Sequence, residues 1–197
     1  MKISECITKQ QFPLVETDRL ALRMFEARDL DSAFRLFNDA AVQKYLSPLN
    51  KRTREQMKLT VQNFSKRWRE RGFGLWSVSK KNNDEMFGYC GFQYLDNTLD
   101  VEISFAYFED FWGRGFAVEA ANAALKFGFE KLSLARIFAA THPENIASRR
   151  VLEKIGMVFE KRTLHYGIDT VTYSISRRDF EPAAGVYRLT YKNFAEI

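Results

Sequence analysis

Apolar and polar positions alternate along this chain with two periods, near two residues in some segments and near 3.6 residues in others. The shorter period is typical of strands and the longer one of helices that pack by one face. The predicted elements are, in chain order, a strand at 14–25, helices at 27–46 and 53–72, strands at 73–81, 85–95 and 97–108, a helix at 114–132, a strand at 135–141, a helix at 145–155 and strands at 156–163 and 169–180. Three consecutive strands at 73–108 precede a region in which strands alternate with helices. This order predicts an α+β fold with a mixed, mostly antiparallel sheet flanked by helices, and it does not fit an all-parallel doubly wound sheet.

The strand predicted at 97–108 carries different chemistry on its two faces. Its apolar face comprises Leu99, Val101, Ile103, Phe105 and Tyr107. Glu102 lies on the other face, between Asp100 and Ser104. A charged strand residue that faces solvent or pairs with an arginine is the simplest interpretation of Glu102. A carboxylate beside a bound substrate would instead be a candidate general base.

The segment "FWGRGFAVEA" places Gly113, Arg114 and Gly115 where a strand gives way to the helix at 114–132. The first N–H groups of a helix have no intrahelical partner, and the helix dipole adds partial positive charge there. Glycines let an anion approach without meeting a Cβ, so a phosphate or diphosphate fits this loop, and Arg114 would add a formal charge. A tight strand-to-helix turn is the plainer interpretation. The spacing matches neither a GxxxxGK[ST] phosphate loop nor the third glycine of a dinucleotide fingerprint, where Val118 stands.

Composition narrows the class of protein. The 197 residues suit one domain, and 46% hydrophobic residues are enough for a sizeable core. No apolar run reaches the roughly 18 residues of a membrane-spanning helix, so no membrane partner is expected. Cys6 and Cys90 lie far apart in sequence, which favours a reduced, cytoplasmic protein over a disulfide-rich secreted one. Because His142 and His165 are the two histidines, we expect neither a histidine metal site nor a metal cofactor.

The net charge of +5 permits an acidic partner without requiring one. The densest basic run, "SKRWRERG" at 65–72, includes Glu70 and has helical spacing, which favours a solvated helix face. The sequence contains no basic-aromatic array and no zinc-finger spacing. Direct binding of nucleic acid is therefore not expected.

Three segments in combination resemble a known family. "FWGRGFAVEAANAALKFGFE" is followed at the expected distance by "RIFAATHPENIASRRVLEKIGM", and "ETDRLALR" precedes both. These motifs resemble the GNAT superfamily of acetyl-CoA-dependent N-acetyltransferases, and in particular its Rim-type branch of ribosomal-protein N-terminal acetyltransferases. The resemblance covers about residues 14–180 and implies a GNAT fold there. Residues 1–13 and 181–197 are left as an N-terminal extension and a C-terminal tail.

The resemblance implies that acetyl-CoA is the co-substrate. The residues that it assigns to cofactor binding are Ile103, Phe105, Gly113, Arg114, Gly115, Phe116, Ala117 and Asn145. The glycine loop would hold the diphosphate, and the pantetheine arm would pair with the strand carrying Ile103 and Phe105, where two central strands splay apart. From the residues alone, Asn145 is equally the N-cap of the helix at 145–155.

The implied reaction is transfer of acetyl to a primary amine by direct attack, without a covalent enzyme intermediate. Glu102 is the expected base, acting directly or through water. Ser148 is expected beside the departing sulfur, because no tyrosine occurs at 149–155. From the residues alone, Ser148 is also an ordinary first-turn residue of its helix.

The acceptor amine is predicted less sharply. A peptide α-amine has a pKa of about 7.8 and a lysine amine one of about 10.4, so an α-amine needs little help from a base. A ribosomal-protein or other peptide N-terminus is the first predicted acceptor, and a small amine such as a polyamine, an antibiotic or an amino acid is the second. A non-catalytic acyl-CoA-binding domain is the alternative from another class. We expect a monomer or a homodimer.

Overall fold

The computed structural model describes residues 11–45 and 51–193, and both ends of the described chain contribute to one sheet. The strands are β1 (Gln11–Glu16), β2 (Leu20–Arg23), β3 (Leu75–Lys80), β4 (Asn83–Tyr94), β5 (Val101–Tyr107), β6 (Arg136–Thr141), β7 (Val158–His165), β8 (Ile168–Ser176) and β9 (Arg188–Asn193). The helices are α1 (Leu30–Asn38), α2 (Ala40–Gln43), α3 (Arg54–Arg71), α4 (Phe116–Glu130) and α5 (Ile146–Lys154). No helix among these described residues is long and apolar enough to cross a bilayer.

The strands lie in the order β7-β8-β6-β5-β4-β3-β2-β1-β9. Each neighbouring pair is antiparallel except β5 and β6, which are parallel. The predicted mixed, mostly antiparallel sheet is therefore confirmed.

The chain between residues 11 and 45 departs from its predicted elements, and Leu46, the last residue of the helix predicted at 27–46, lies outside the described residues. The predicted strand at 14–25 is two antiparallel strands, with Val15 opposite Leu22. The chain reverses between them, where the Thr17 N–H donates to the Leu20 carbonyl at 2.9 Å. The helix predicted at 27–46 is interrupted because Asp39 leaves the helical conformation and caps α2 with its side chain.

The segments expected to flank the domain also carry strands. Residues Arg188–Asn193, placed in the predicted tail, form β9 and pair with Gln11–Glu16 along the whole of β1. Strand pairing thus continues beyond the predicted limits of 14–180 at both ends. Extended backbone at a sheet edge gains its hydrogen bonds only from a distant partner, which the local pattern does not reveal.

Two apolar clusters cover the faces of the sheet. One contains α4, whose Ala120, Ala121 and Ala124 are fully buried against the strands. These small side chains form a stripe that brings the helix backbone close to the sheet. The other cluster joins α1 and α3 to the opposite face through residues such as Leu36 and Met57.

The parallel neighbours β5 and β6 separate soon after they meet. β5 pairs with β4 along its whole length, from Val101 to Tyr107, but with β6 only where Glu102 lies opposite Phe138. The predicted splay of two central strands is confirmed, and beyond Glu102 one edge of β5 pairs with no other strand of the described residues. Leu99, predicted on the apolar face of this strand, precedes it and is 88% exposed.

Candidate active site

A cleft of about 380 Å³ opens beside the second half of β5. It is bounded by that strand, the loop before α4, and the first turns of α4 and α5. The sequence-predicted residues that line it are Phe105, Gly113, Gly115, Phe116, Ala117, Asn145 and Ser148. Residues from three separate elements therefore meet at one place, where the strand edge is open.

Both glycines of the loop before α4 have a backbone conformation that favours glycine. Gly113 has φ 71° and Gly115 has φ 77°, both in the left-handed region that favours glycine. A Cβ built on Gly113 would meet no described atom within 4 Å, so the space beside this backbone is open. The first helical bond runs from the Glu119 N–H to the Gly115 carbonyl, which leaves the N–H groups of Phe116 and Ala117 without a partner inside the helix. The glycine loop and the start of α4 together form a site that fits a diphosphate.

Arg114 and Ile103 do not line the cleft. Arg114 is exposed, and its backbone carbonyl accepts a hydrogen bond from Arg19 Nη1 at 3.0 Å. Ile103 is buried in the core at 3% exposure, so only its backbone could face a ligand. The binding roles predicted for both residues stay predictions.

Hydrogen bonds between Glu119, Arg19 and Thr17 brace the glycine loop, and the sequence did not predict them. Glu119, in the first turn of α4, accepts hydrogen bonds from Arg19 Nε at 2.6 Å, from the Arg19 N–H at 2.9 Å and from Thr17 Oγ1 at 2.6 Å. The Arg19 guanidinium also lies 4.5 Å from the centre of the Phe116 ring. The motif "ETDRLALR" contained the signal, because its Thr17 and Arg19 supply these contacts from the turn between β1 and β2.

The start of α5 forms the opposite wall of the cleft. Asn145 Oδ1 accepts from the Ser148 N–H at 3.0 Å, which is the N-cap that the sequence allowed. Asn145 Nδ2 donates to no described residue and remains available to a ligand. Arg150 and Lys154 line the same wall and add positive charge near the glycine loop. Neither was among the predicted cofactor-binding residues, since Arg150 was expected to face water, although helical spacing places both on one face with Ala147.

Glu102 is buried at 3% exposure, so the interpretation of a solvent-facing strand residue is wrong. Its Oε1 accepts hydrogen bonds from Gln93 Nε2 at 2.7 Å and from the Tyr166 hydroxyl at 2.5 Å. Burial raises its pKa from 4.5 to about 7, while hydrogen bonds from Gln93, Tyr166 and the Ala140 backbone favour the charged form and oppose the increase. A carboxyl with this pKa is able to accept and release a proton near neutral pH.

Tyr166 reaches Glu102 from the turn between β7 and β8. It has φ 56°, and its N–H donates to Asp96 Oδ2 at 3.0 Å, which ties this turn to the loop between β4 and β5. Its hydroxyl also lies 3.2 Å from the Tyr94 carbonyl. No motif marked Tyr166 in the sequence, because its contacts come from residues about 70 positions away.

The comparison with known families agrees with this geometry. Residues 19–158 match the model of the acetyltransferase (GNAT) domain. This chain belongs to the GNAT acetyltransferase family. The protein is accordingly an acetyl-CoA-dependent acetyltransferase, and its sheet is the mixed, open sheet of GNAT structures.

Individual relatives fit the same family. The chain is 39% identical over 152 residues to the uncharacterized protein YkkB of Bacillus subtilis, a match that covers 74% of this chain and 85% of YkkB. A crystal structure of a GNAT-family acetyltransferase from Bacillus anthracis matches with a TM-score of 0.71 and 29% identity, over 84% of this chain and 99% of that one.

A Rim-type structure shares the fold. RimL, a ribosomal L7/L12 alpha-N-protein acetyltransferase in complex with coenzyme A, has a TM-score of 0.67 and 20% identity, over 82% of this chain and 98% of RimL. The fold therefore recurs in a ribosomal-protein acetyltransferase.

Proposed function

We propose that this GNAT acetyltransferase moves acetyl from acetyl-CoA to the primary amine of a peptide N-terminus, with a ribosomal protein as the leading candidate. The observation that carries the proposal is the cleft in which the open glycine loop, the unpaired edge of β5 and the start of α5 meet. Support for a peptide acceptor comes from the "ETDRLALR" and "PENIASRR" motifs and from the shared fold with RimL. The cytoplasmic location and the monomeric or homodimeric state belong to the same proposal.

In this proposal the glycine loop aims the thioester. Backbone N–H groups of Gly115, Phe116 and Ala117 would bind the diphosphate, with help from the dipole of α4. The arm that links the diphosphate to the thioester would follow β5 past Phe105, pairing with the strand edge that β6 leaves open. Asn145 Nδ2 would hold that arm from the side of α5.

Glu102 would take the proton of the attacking amine. It lies outside the cleft lining and is bonded to Tyr166, so we assign the transfer to a chain of one hydroxyl or water between the amine and the carboxylate. A pKa of about 7 keeps the carboxylate available at neutral pH. The amine nitrogen forms the new amide bond, the carbon–sulfur bond breaks, and Ser148 would donate a hydrogen bond to the departing thiolate.

A turnover assay tests the proposal. The protein is incubated with acetyl-CoA and a panel of peptides and small amines, and released thiol and acetylated product are both measured. We expect acetylation of peptide α-amines, with loss of at least about tenfold in kcat for Glu102→Gln. Turnover of polyamines, antibiotics or free amino acids alone would show that the acceptor is a small amine and not a peptide. Tight coenzyme A binding without any acetylated amine would indicate the non-catalytic alternative.

A further inference from the structure

A group of arginines lies beyond Glu102 on the side of the sheet covered by α3. Arg52 and Arg67 are half-buried, and Arg71 is exposed at the end of the helix. Within the described residues Arg67 forms neither a hydrogen bond nor an ion pair, and Arg52 bonds to Thr60 Oγ1 at 2.9 Å without an acidic partner. Charges in such positions are normally compensated, because removing a cation from water costs free energy.

Contacts between aromatic rings connect Arg52 to the polar face of β5. The Arg52 guanidinium lies 5.0 Å from the centre of the Phe37 ring, and that ring stacks on Tyr89 with centroids 5.3 Å apart. Tyr89 is buried, and its hydroxyl is influenced by Ser104, which lies two residues from Glu102 on the same face of the strand.

A second series of contacts connects Arg67 and Arg71 to Glu102. Tyr166 hydrogen-bonds to Glu102 and is an electrostatic neighbour of Arg67. The Arg71 guanidinium lies 5.0 Å from the centre of the Tyr94 ring, and the Tyr94 carbonyl oxygen lies 3.2 Å from the Tyr166 hydroxyl. The second series therefore ends at Glu102, which would receive the proton of the acceptor amine, and the first ends at Ser104, two residues away on the same face of β5.

Arg67 also repels the other two cations. Burial lowers the pKa of Arg67, and the charge of Arg71 lowers it further, while Tyr166 opposes the decrease. Burial likewise lowers the pKa of Arg52, with Arg67 adding to the decrease and Tyr89 opposing it. Among the described residues, no carboxylate acts on either guanidinium. An anion between Arg52 and Arg67 would offset the free-energy cost of burying their charges and would reduce the repulsion between them.

We infer that the acceptor is an anionic amine. Arg52 and Arg67 bind its negative charge, and its nitrogen faces the hydroxyl or water that passes the proton to Glu102. This inference rests on the proposed acetyl transfer and specifies the chemistry of its acceptor. Guanidinium groups suit carboxylates and phosphates because they present paired N–H donors. Two sources share this chemistry: a peptide with acidic residues after its N-terminus and a small amine that carries a carboxylate.

Matched acceptor pairs distinguish these sources. The peptide pair is Ala-Glu-Glu-Ala amide and Ala-Gln-Gln-Ala amide, and the small pair is glutamic acid α-amide and glutamine α-amide. Each pair keeps its α-amine and differs only in side-chain charge. We expect at least about a tenfold preference in kcat/KM for the acidic member of one pair, and the pair that shows it identifies the source.

Variants connect that preference to the arginines. Arg67→Gln is expected to raise KM for the acidic acceptor about tenfold or more with kcat nearly unchanged, and Arg67→Glu is expected to reverse the preference. Lys66→Gln is the matched control, because it removes a charge from the same turn of α3 at a side chain that is 64% exposed and pairs with Glu70. Equal kcat/KM for the acidic and neutral members of both pairs would overturn the inference.

A binding measurement separates this inference from the proposed reaction. Calorimetry with coenzyme A-saturated protein measures affinity for each acceptor without requiring turnover. Preferential binding of an acidic member, lost in Arg67→Gln, supports the anionic site even if no acetylated product forms. Equal binding of the acidic and neutral members contradicts it, whether or not acetylation occurs.

Discussion

Tyr166 and Glu102 are 64 residues apart in sequence, and the Tyr166 hydroxyl donates a hydrogen bond to Glu102 Oε1 at 2.5 Å. The bond joins the turn between β7 and β8 to the strand that borders the cleft. Because a donor stabilises the ionised carboxylate, it limits the increase that burial imposes on the pKa of Glu102. Tyr166 thus positions and tunes the candidate base from a distant part of the chain.

Replacing this hydroxyl should make Glu102 harder to ionise. In Tyr166→Phe the pKa of Glu102 rises further, so the rising limb of the kcat/KM profile moves to higher pH. At pH 7 we expect kcat/KM to fall about threefold to tenfold, with the difference shrinking in alkaline solution. Tyr94→Phe is the control, because it removes a neighbouring hydroxyl that is not bonded to Glu102. Superimposable pH profiles for Tyr166→Phe and the wild type would contradict the tuning role.

Glu102→Gln should remove the ionisation itself. The rising limb near pH 7 disappears and kcat/KM falls about tenfold to a hundredfold, at the lower end of general-base effects because an α-amine is partly neutral at this pH. Any remaining pH dependence then belongs to the acceptor amine. Steady-state kinetics from pH 5.5 to about pH 9 measure both effects. An unaltered limb in the variant would assign it to another group.

The same substitution should change how stability depends on pH. The pKa of Glu102 in the folded protein, about 7, exceeds its ordinary value of 4.5, so the folded state binds the proton more tightly than the unfolded state. Its contribution to the free energy of unfolding is therefore fully present below pH 4.5 and is lost as the pH rises to about 7. We expect this decline to be shallower in Glu102→Gln, as measured by urea unfolding at several pH values. An equally steep decline would count against the raised pKa.

Gly115→Asp tests the glycine loop. A carboxylate at the start of α4 would repel a diphosphate, so we expect the dissociation constant for coenzyme A to rise at least about a hundredfold. The cost in stability should be about 1 kcal/mol, from the left-handed backbone alone. Gly72→Asp is the matched control, because Gly72 has φ 73° against 77° for Gly115 and lies at the end of α3. Calorimetry showing equal coenzyme A affinity in both variants would refute the loop assignment.

Gly88→Ala tests the packing beneath the cleft. A Cβ on Gly88 would overlap the Tyr107 ring and lie 2.6 Å from the Ala106 carbonyl oxygen. Because β4 and β5 are paired at this point, neither group is free to retreat. We expect a loss of about 2–4 kcal/mol in the free energy of unfolding, measured by urea titration. Gly113→Ala, where the new Cβ meets no described atom within 4 Å, should cost only about 1 kcal/mol.

The sequence by itself predicted most elements and the family. Periodicity located α3, α4, α5 and the central strands, because each carries a continuous apolar face that local spacing reveals. Gly113 and Gly115 predicted a loop that an anion can approach closely, because glycine carries no Cβ. Three motifs resembled the GNAT superfamily of acetyltransferases, and the family match confirms that resemblance.

The tertiary structure alone decided what surrounds these residues. Strand β9 acquires its hydrogen bonds from β1, at the opposite end of the described chain. Glu119 braces the glycine loop through Arg19, and Tyr166 reaches Glu102 across the sheet. Burial and charge at a site depend on residues brought together by folding, whereas periodicity records only neighbours along the chain. The raised pKa of Glu102 is therefore visible only in three dimensions. The same is true of Arg67, whose charge has no acidic partner among the described residues.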